Sequence, residues 1–184
     1  MCNWEFERLS TIEEFVAIKE EWTSILSASK QDNIFLTHSW LSSWWRVYGC
    51  DVSMWLLVAR IDDHIIGFAP FMIVRSSIGL KTLTFMGVSD LKPVHLDFVI
   101  LPEFHNEFLM NILCYLDNHK EKWDLLDLQG LSEDSPSLRY LKNWFLTSNQ
   151  SQYRIGNCEA CPCITLPQSF TEYIQSRSKN TRKN

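Results

Sequence analysis

The sequence predicts an α/β (α+β) domain with a mixed, mostly antiparallel sheet and helices on both faces. Strand-like runs of apolar residues follow one another with only short turns from Met54 to Ile100. Segments with apolar residues at helical spacing precede that series and then alternate with strands after it. With 184 residues and 46% hydrophobic content, the chain fits one domain with a sizeable core.

Trp4, Phe6 and, imperfectly, Leu9 alternate with charged residues, the pattern of a half-buried first strand. Ser10-Thr11-Ile12-Glu13 reads as a capping box, in which hydroxyl and carboxylate satisfy each other's free backbone N–H groups. A helix follows through Phe15, Trp22 and Ile25. After a polar loop, Thr37 or Ser39 caps a second helix that carries Trp40, Leu41, Trp44, Trp45 and Tyr48 and closes at Gly49. Met54–Ile61 and Ile65–Arg75 form a hairpin about Asp62-Asp63-His64. Leu80–Met86 and His95–Ile100 are further strands. Pro102 suits the first turn of a helix striped by Phe104, Phe108, Ile112 and Leu116. Trp123–Leu128 is a strand, and Ser135-Pro136 opens a helix with Leu138, Leu141 and Trp144. Tyr153–Cys158 and Cys161–Leu166 read as closing strands, with a last helical segment from Ser169.

A net charge of −5 argues against non-specific binding to nucleic acid or an anionic membrane. The basic residues Arg177, Lys179, Arg182 and Lys183 gather at the end of the chain. The N-terminus lacks a secretory pattern, and no run reaches the roughly 18 apolar residues that a membrane span needs. A cytoplasmic protein without an integral membrane segment is therefore expected. Six cysteines without a secretory signal read as free thiols. Cys158, Cys161 and Cys163 have no fourth ligand at metal-site spacing, so no metal is expected.

Several segments narrow the fold class. Phe35-Leu36-Thr37-His38-Ser39-Trp40-Leu41-Ser42-Ser43-Trp44-Trp45, Ile65-Ile66-Gly67-Phe68-Ala69-Pro70-Phe71 and Leu83-Thr84-Phe85-Met86-Gly87 come first. His95-Leu96-Asp97-Phe98, Trp123-Asp124-Leu125-Leu126-Asp127-Leu128 and Cys161-Pro162-Cys163-Ile164-Thr165-Leu166-Pro167 follow. In order and spacing, these resemble the N-terminal half of the cellulose-biosynthesis type of GNAT N-acetyltransferases, relatives of the peptidoglycan aminoacyl transferases. The resemblance implies a GNAT-like domain over residues 1–167. It reads residues 168–184 as a basic helical segment leading toward a second GNAT-like domain, in the same or a separate chain, and so implies a truncated or split protein. It also implies transfer from acetyl-CoA or another acyl-CoA to an amine or hydroxyl of a sugar or cell-envelope acceptor.

In GNAT proteins a glycine-bearing loop at a helix N-terminus cradles the cofactor's pyrophosphate with backbone N–H groups. Here that position holds Leu101-Pro102-Glu103-Phe104-His105, without a glycine and with an acidic side chain. The expectation is that this half binds no cofactor.

Acceptor-side candidates are His95, Asp97, Asp90, Trp44 and Trp45. On one strand, His95 and Asp97 would share a face and could meet a substrate amine or hydroxyl; the other reading is a His–Asp pair satisfied by turn N–H groups. Trp44 and Trp45 read as core packing or as an aromatic platform. No Ser-His-Asp or Cys-His arrangement has support in the spacing, and no catalytic residue is assigned. A non-catalytic interaction module, and a single-domain acetyltransferase with a degenerate loop, remain as alternative readings.

Overall fold

The computed structural model describes residues 3–31, 33–88, 92–147, 153–156, 161–162 and 164–177. It divides into two units, Met1–Arg154 and Ile155–Asn184.

The first unit begins with β1 (Trp4–Leu9), which leads into α1 (Ile12–Ala17) and α2 (Lys19–Ala28). The cap of α1 is Thr11 rather than Ser10. Glu14 Nα donates to the Thr11 hydroxyl, and the Glu14 carboxylate accepts from the backbone N–H groups of both Ser10 and Thr11. That register satisfies more free amides than a box from Ser10 to Glu13 would. The predicted single helix breaks at Ile18, whose φ of −95° and ψ of 21° leave the helical region. The third helix, α3 (His38–Tyr48), is capped by Thr37.

The strands β2 (Val52–Ile61) and β3 (His64–Arg75) form the hairpin the sequence predicts. Both loop residues, Asp62 and Asp63, have positive φ (47° and 68°), the backbone of a two-residue turn whose twist matches the strands. Next come β4 (Lys81–Phe85), β5 (Val99–Ile100), α4 (His105–Asp117), β6 (Leu125–Asp127) and α5 (Pro136–Thr147). The sheet order is β1-β2-β3-β4-β6, with β5 also on β3. All pairings are antiparallel except β4 with β6. The fold is thus α/β with a mixed, mostly antiparallel sheet, the class the sequence predicts.

Helices cover both faces. Trp22 of α2 stacks on Phe68 at 4.6 Å, and Phe68 pairs with Val58. Phe108 of α4 meets Phe6 at 6.2 Å, and Phe6 pairs with Ala59. Val58 and Ala59 are consecutive on β2 and point to opposite sides, so α2 and α4 lie on opposite faces. Trp22 is fully buried, and its indole N–H donates to the Leu36 carbonyl at 2.8 Å.

The strand predicted as His95–Ile100 is shorter. Only Val99 and Ile100 pair, and they extend the line of β4 along the same edge of β3: β4 pairs with Phe71–Arg75, and β5 with Gly67 and Phe68. Residues 86–88 leave that line and residues 92–98 return to it. The described residues of the predicted closing strands (153–156, 161–162 and 164–166) are in neither helix nor strand, and 157–160 and 163 lie outside the described residues.

In the second unit α6 (Phe170–Ser176) is capped by the Ser169 hydroxyl, and the Arg177 guanidinium lies 4.3 Å from the Tyr173 ring. No helix among the described residues is long and apolar enough to cross a membrane.

Gly87 opens the excursion with φ +92°, and a Cβ there would stand 2.6 Å from the Trp40 ring. Gly79 has φ +85° with open space around it. Gly79→Ala is therefore expected to cost about 1 kcal/mol from backbone strain alone. Gly87→Ala is expected to cost about 2–4 kcal/mol, from strain plus overpacking. Urea unfolding of the two variants measures the difference, and equal losses would contradict the packing of Trp40 on Gly87.

Candidate functional site

Because β3 is paired first by β4 and then by β5, chemistry-bearing residues collect where the chain leaves and rejoins that edge. Residues 92–98 are fastened from two sides. On one, the Asn33 side-chain amide donates to the carbonyls of Val94 (3.1 Å) and His95 (2.6 Å), and Gln31 donates to the Phe98 carbonyl (3.0 Å). On the other, the Asp97 carboxylate accepts from the Phe98 N–H at 2.8 Å and from the Ser135 hydroxyl at 2.6 Å. Ser135 also accepts from Leu138 N–H at the start of α5.

The network continues inward. The Ser137 hydroxyl favours the ionised Asp97 carboxylate, and His105 Nε2 lies 3.0 Å from Ser137 Oγ. One buried carboxylate thus ties together the approach to β5, the start of α4 and the start of α5.

Burial is the largest influence on Asp97 and pushes its carboxyl above the ordinary carboxylate range. The hydrogen bonds from Ser135, Ser137 and the Phe98 N–H, and the nearby His105, pull the other way without cancelling it.

Asp97, Ser137 and His105 are the residue types of a hydrolytic triad, but the order is wrong. In a triad the imidazole stands between serine and carboxylate and takes the hydroxyl proton. Here serine stands between the other two, and Ser137 is 1% exposed, closed to any substrate. The arrangement clamps three elements and does not activate a nucleophile.

The α4 N-terminus does not fit a pyrophosphate. Residues Pro102–Phe104 form a 3-10 turn, in which Phe104 N–H donates to the Leu101 carbonyl at 3.0 Å and His105 N–H donates to that of Pro102. Pro102 has no N–H, and Glu103 is exposed and anionic. Two of the amides there, those of Phe104 and His105, already donate inside the turn. The gap beyond the β4–β6 pairing is likewise filled. β6 pairs with Thr82, Leu83 and Thr84 but not with β5. A Cβ at Gly130, just after β6, would lie 3.1 Å from the Pro93 carbonyl oxygen and 3.4 Å from Leu96, which is buried. The chain's own excursion occupies that space.

Of the acceptor-side candidates, His95 is exposed with φ 57°, its carbonyl held by Asn33. Asp97 is buried, so the two do not share a strand face: residues 92–98 are not in a strand, and the positive φ turns the chain between them. Trp44 is buried and contacts Tyr48 at 5.6 Å, whereas Trp45 is half-buried and lines a cleft at the opposite end of β3 from β5. Asp90 lies outside the described residues. Ser135, Ser137 and His105 join the polar cluster although the sequence analysis does not single them out. Ser135 reads there only as a helix cap, and Ser137 and His105 stand 32 residues apart. Among the described residues no three His, Cys, Asp or Glu are grouped to hold a metal ion.

No protein-family model matches the sequence, and no curated protein matches it. Solved structures do. One is an aminoglycoside acetyltransferase from an uncultured soil metagenomic sample: 12% identity, 86% of this chain and 99% of that one, TM-score 0.47. Another is glucosamine-6-phosphate N-acetyltransferase from Arabidopsis thaliana: 15% identity, 85% and 99% coverage, TM-score 0.44. A third is ribosomal-protein-alanine N-acetyltransferase from Brucella melitensis biovar Abortus 2308: 14% identity, 85% and 100% coverage, TM-score 0.42. With these TM-scores below 0.5, the fold class rests on the strand order itself, and nothing about substrate follows from these matches.

A carboxyl raised in the folded state stabilises the fold at low pH, and that contribution is lost as pH rises from the unfolded carboxylate range through the raised value. Asp97→Asn removes this titration. The melting temperature of Asp97→Asn minus that of the wild type is therefore expected to grow as pH rises from about 4 toward 7. A difference that stays flat with pH would contradict the burial of an ionisable Asp97.

Proposed function

We propose that this chain is the acceptor-side domain of a two-domain GNAT-type acyltransferase. A second GNAT-like domain, in the same or a separate chain, holds the acyl-CoA and carries the transfer. The present domain packs beside it and helps shape the site for an amine or hydroxyl of a sugar or cell-envelope acceptor.

The observation that carries this reading is the occupied gap beside β5. Pro93 and Leu96 fill it against Gly130, and the Phe104 and His105 amides of the neighbouring turn donate to carbonyls of that turn. A domain with the strand order that the GNAT resemblance implies, and with no room for a cofactor between its strands, serves the reaction by positioning. On this reading Asp97 supports the acceptor side from within, whereas Trp45 lines the cleft at the opposite end of β3. Exposed His95 is available to receive a proton from an acceptor amine, directly or through water.

Calorimetric titration of the chain with acetyl-CoA is expected to give no saturable heat. Micromolar binding would overturn this reading and make the domain a cofactor-binding acetyltransferase in its own right.

A further inference from the structure

At the end of the sheet away from the filled gap, β1 finishes, β2 begins and β3 finishes. A cleft of about 430 Å³ opens there. Its apolar lining includes the buried Trp55 and Ile73 and the half-buried Trp45. Around these stand three exposed cations from separate parts of the chain: Arg8 of β1, Arg75 of β3, and Lys122 just before β6.

No carboxylate lines this cleft. Arg75 makes no hydrogen bond or ion pair with its side chain among the described residues. The Arg8 guanidinium lies 5.6 Å from the centre of the Trp55 ring, and Lys122 reaches the Glu121 carboxylate at 3.7 Å. Glu14, close in sequence, is engaged by the amides of Ser10 and Thr11. Three like charges converging on one hollow repel one another, and in a chain of net charge −5 nothing in the overall composition requires them there.

We propose that this cleft binds a small organic anion with an apolar or aromatic body. The cations take the anionic group, Arg75 and Arg8 being able to offer paired N–H donors to a carboxylate, sulfonate or phosphate. The half-buried Trp45 and Val52 side chains take the body. The volume lies within the roughly 300–1,000 Å³ of small-molecule sites, which favours a compact ligand over an acidic protein surface. The site is separate from the gap beside β5, and the inference does not depend on where the acyl-CoA is held.

The test uses 8-anilinonaphthalene-1-sulfonate as an anionic aromatic probe and N-phenyl-1-naphthylamine as its uncharged counterpart, titrated by fluorescence into the full chain. Saturable one-site binding of the sulfonate is expected, weakening as salt rises from about 20 to about 200 mM. Arg75→Gln is expected to weaken it about tenfold, with Arg139→Gln on α5 leaving it unchanged. The uncharged probe should bind less tightly and respond to neither substitution. Circular dichroism establishes that each variant is folded, and Lys122→Gln replaces Arg75→Gln if that variant is not. Sulfonate binding that is insensitive to salt and to the cleft substitutions, equal affinity for both probes, or no saturable sulfonate binding would overturn the proposal.

Discussion

The pairing of β3 governs this structure. One edge is matched almost along its length by β2, while the other is divided between β4 and β5. Between them Met86 N–H donates to the Pro70 carbonyl at 2.6 Å, and beyond them Leu101 N–H donates to that of Ile66 at 3.0 Å. The backbone groups of β3 are thus met on both sides of the departure, although no single strand supplies the partners. An uninterrupted strand would have continued directly from β4 into α4. After the interruption, residues 92–98 return to the edge outside any strand, and they need their own fastenings to stay folded. Asn33, Gln31 and Ser135 supply them.

Those fastenings explain why a carboxylate is buried in an otherwise apolar interior. Leu96 and Phe98 flank Asp97 and are buried, so the backbone between them is withdrawn from water. An unsatisfied amide there would cost about 1–3 kcal/mol. Asp97 accepts from that backbone and from the Ser135 hydroxyl, offsetting part of its own desolvation. A hydrophobic residue of similar size would leave the Phe98 N–H and the Ser135 and Ser137 hydroxyls to find new partners. The network thereby fixes the position of α5 against the approach to β5, a directional role that apolar packing alone does not perform.

Much of the frame is legible in sequence because it rests on local rules. The β2–β3 hairpin follows from two apolar runs around Asp62-Asp63-His64, and α3 from its tryptophan stripe and a cap at Thr37 or Ser39, of which the structure uses Thr37. The α4 helix follows from Pro102 and its apolar spacing. What is not legible depends on partners distant in the chain. The apolar content of residues 95–100 suits a strand, yet only Val99 and Ile100 find a free stretch of β3, while Asn33 pins the carbonyls of Val94 and His95. A two-residue spacing places His95 and Asp97 on one face only if the backbone is extended, and the positive φ of His95 breaks that premise. Tyr153 and Ile155 carry a strand-like alternation, but neither is in a strand, and alternation alone does not make one. The lack of a glycine before α4, by contrast, is a local fact, and the structure adds that the Phe104 and His105 amides donate within the turn.

The two ends of β3 invite opposite uses. Near β5 the strands diverge, and the chain fills the divergence with Pro93 and Leu96, burying apolar surface that a ligand would otherwise have to cover. Near Arg75 the strands finish together, and the hollow holds cations without a protein carboxylate in its wall. A space lined by apolar residues can be closed by a neighbouring loop at little electrostatic cost, since both surfaces gain by leaving water. A hollow ringed by arginine and lysine is costly to close in the same way: the covering segment would have to bring compensating carboxylates or strip hydration from three charges. An end of the sheet closed by its own chain and an end left open to an anion are therefore what the distribution of side chains along β3 and its neighbours favours.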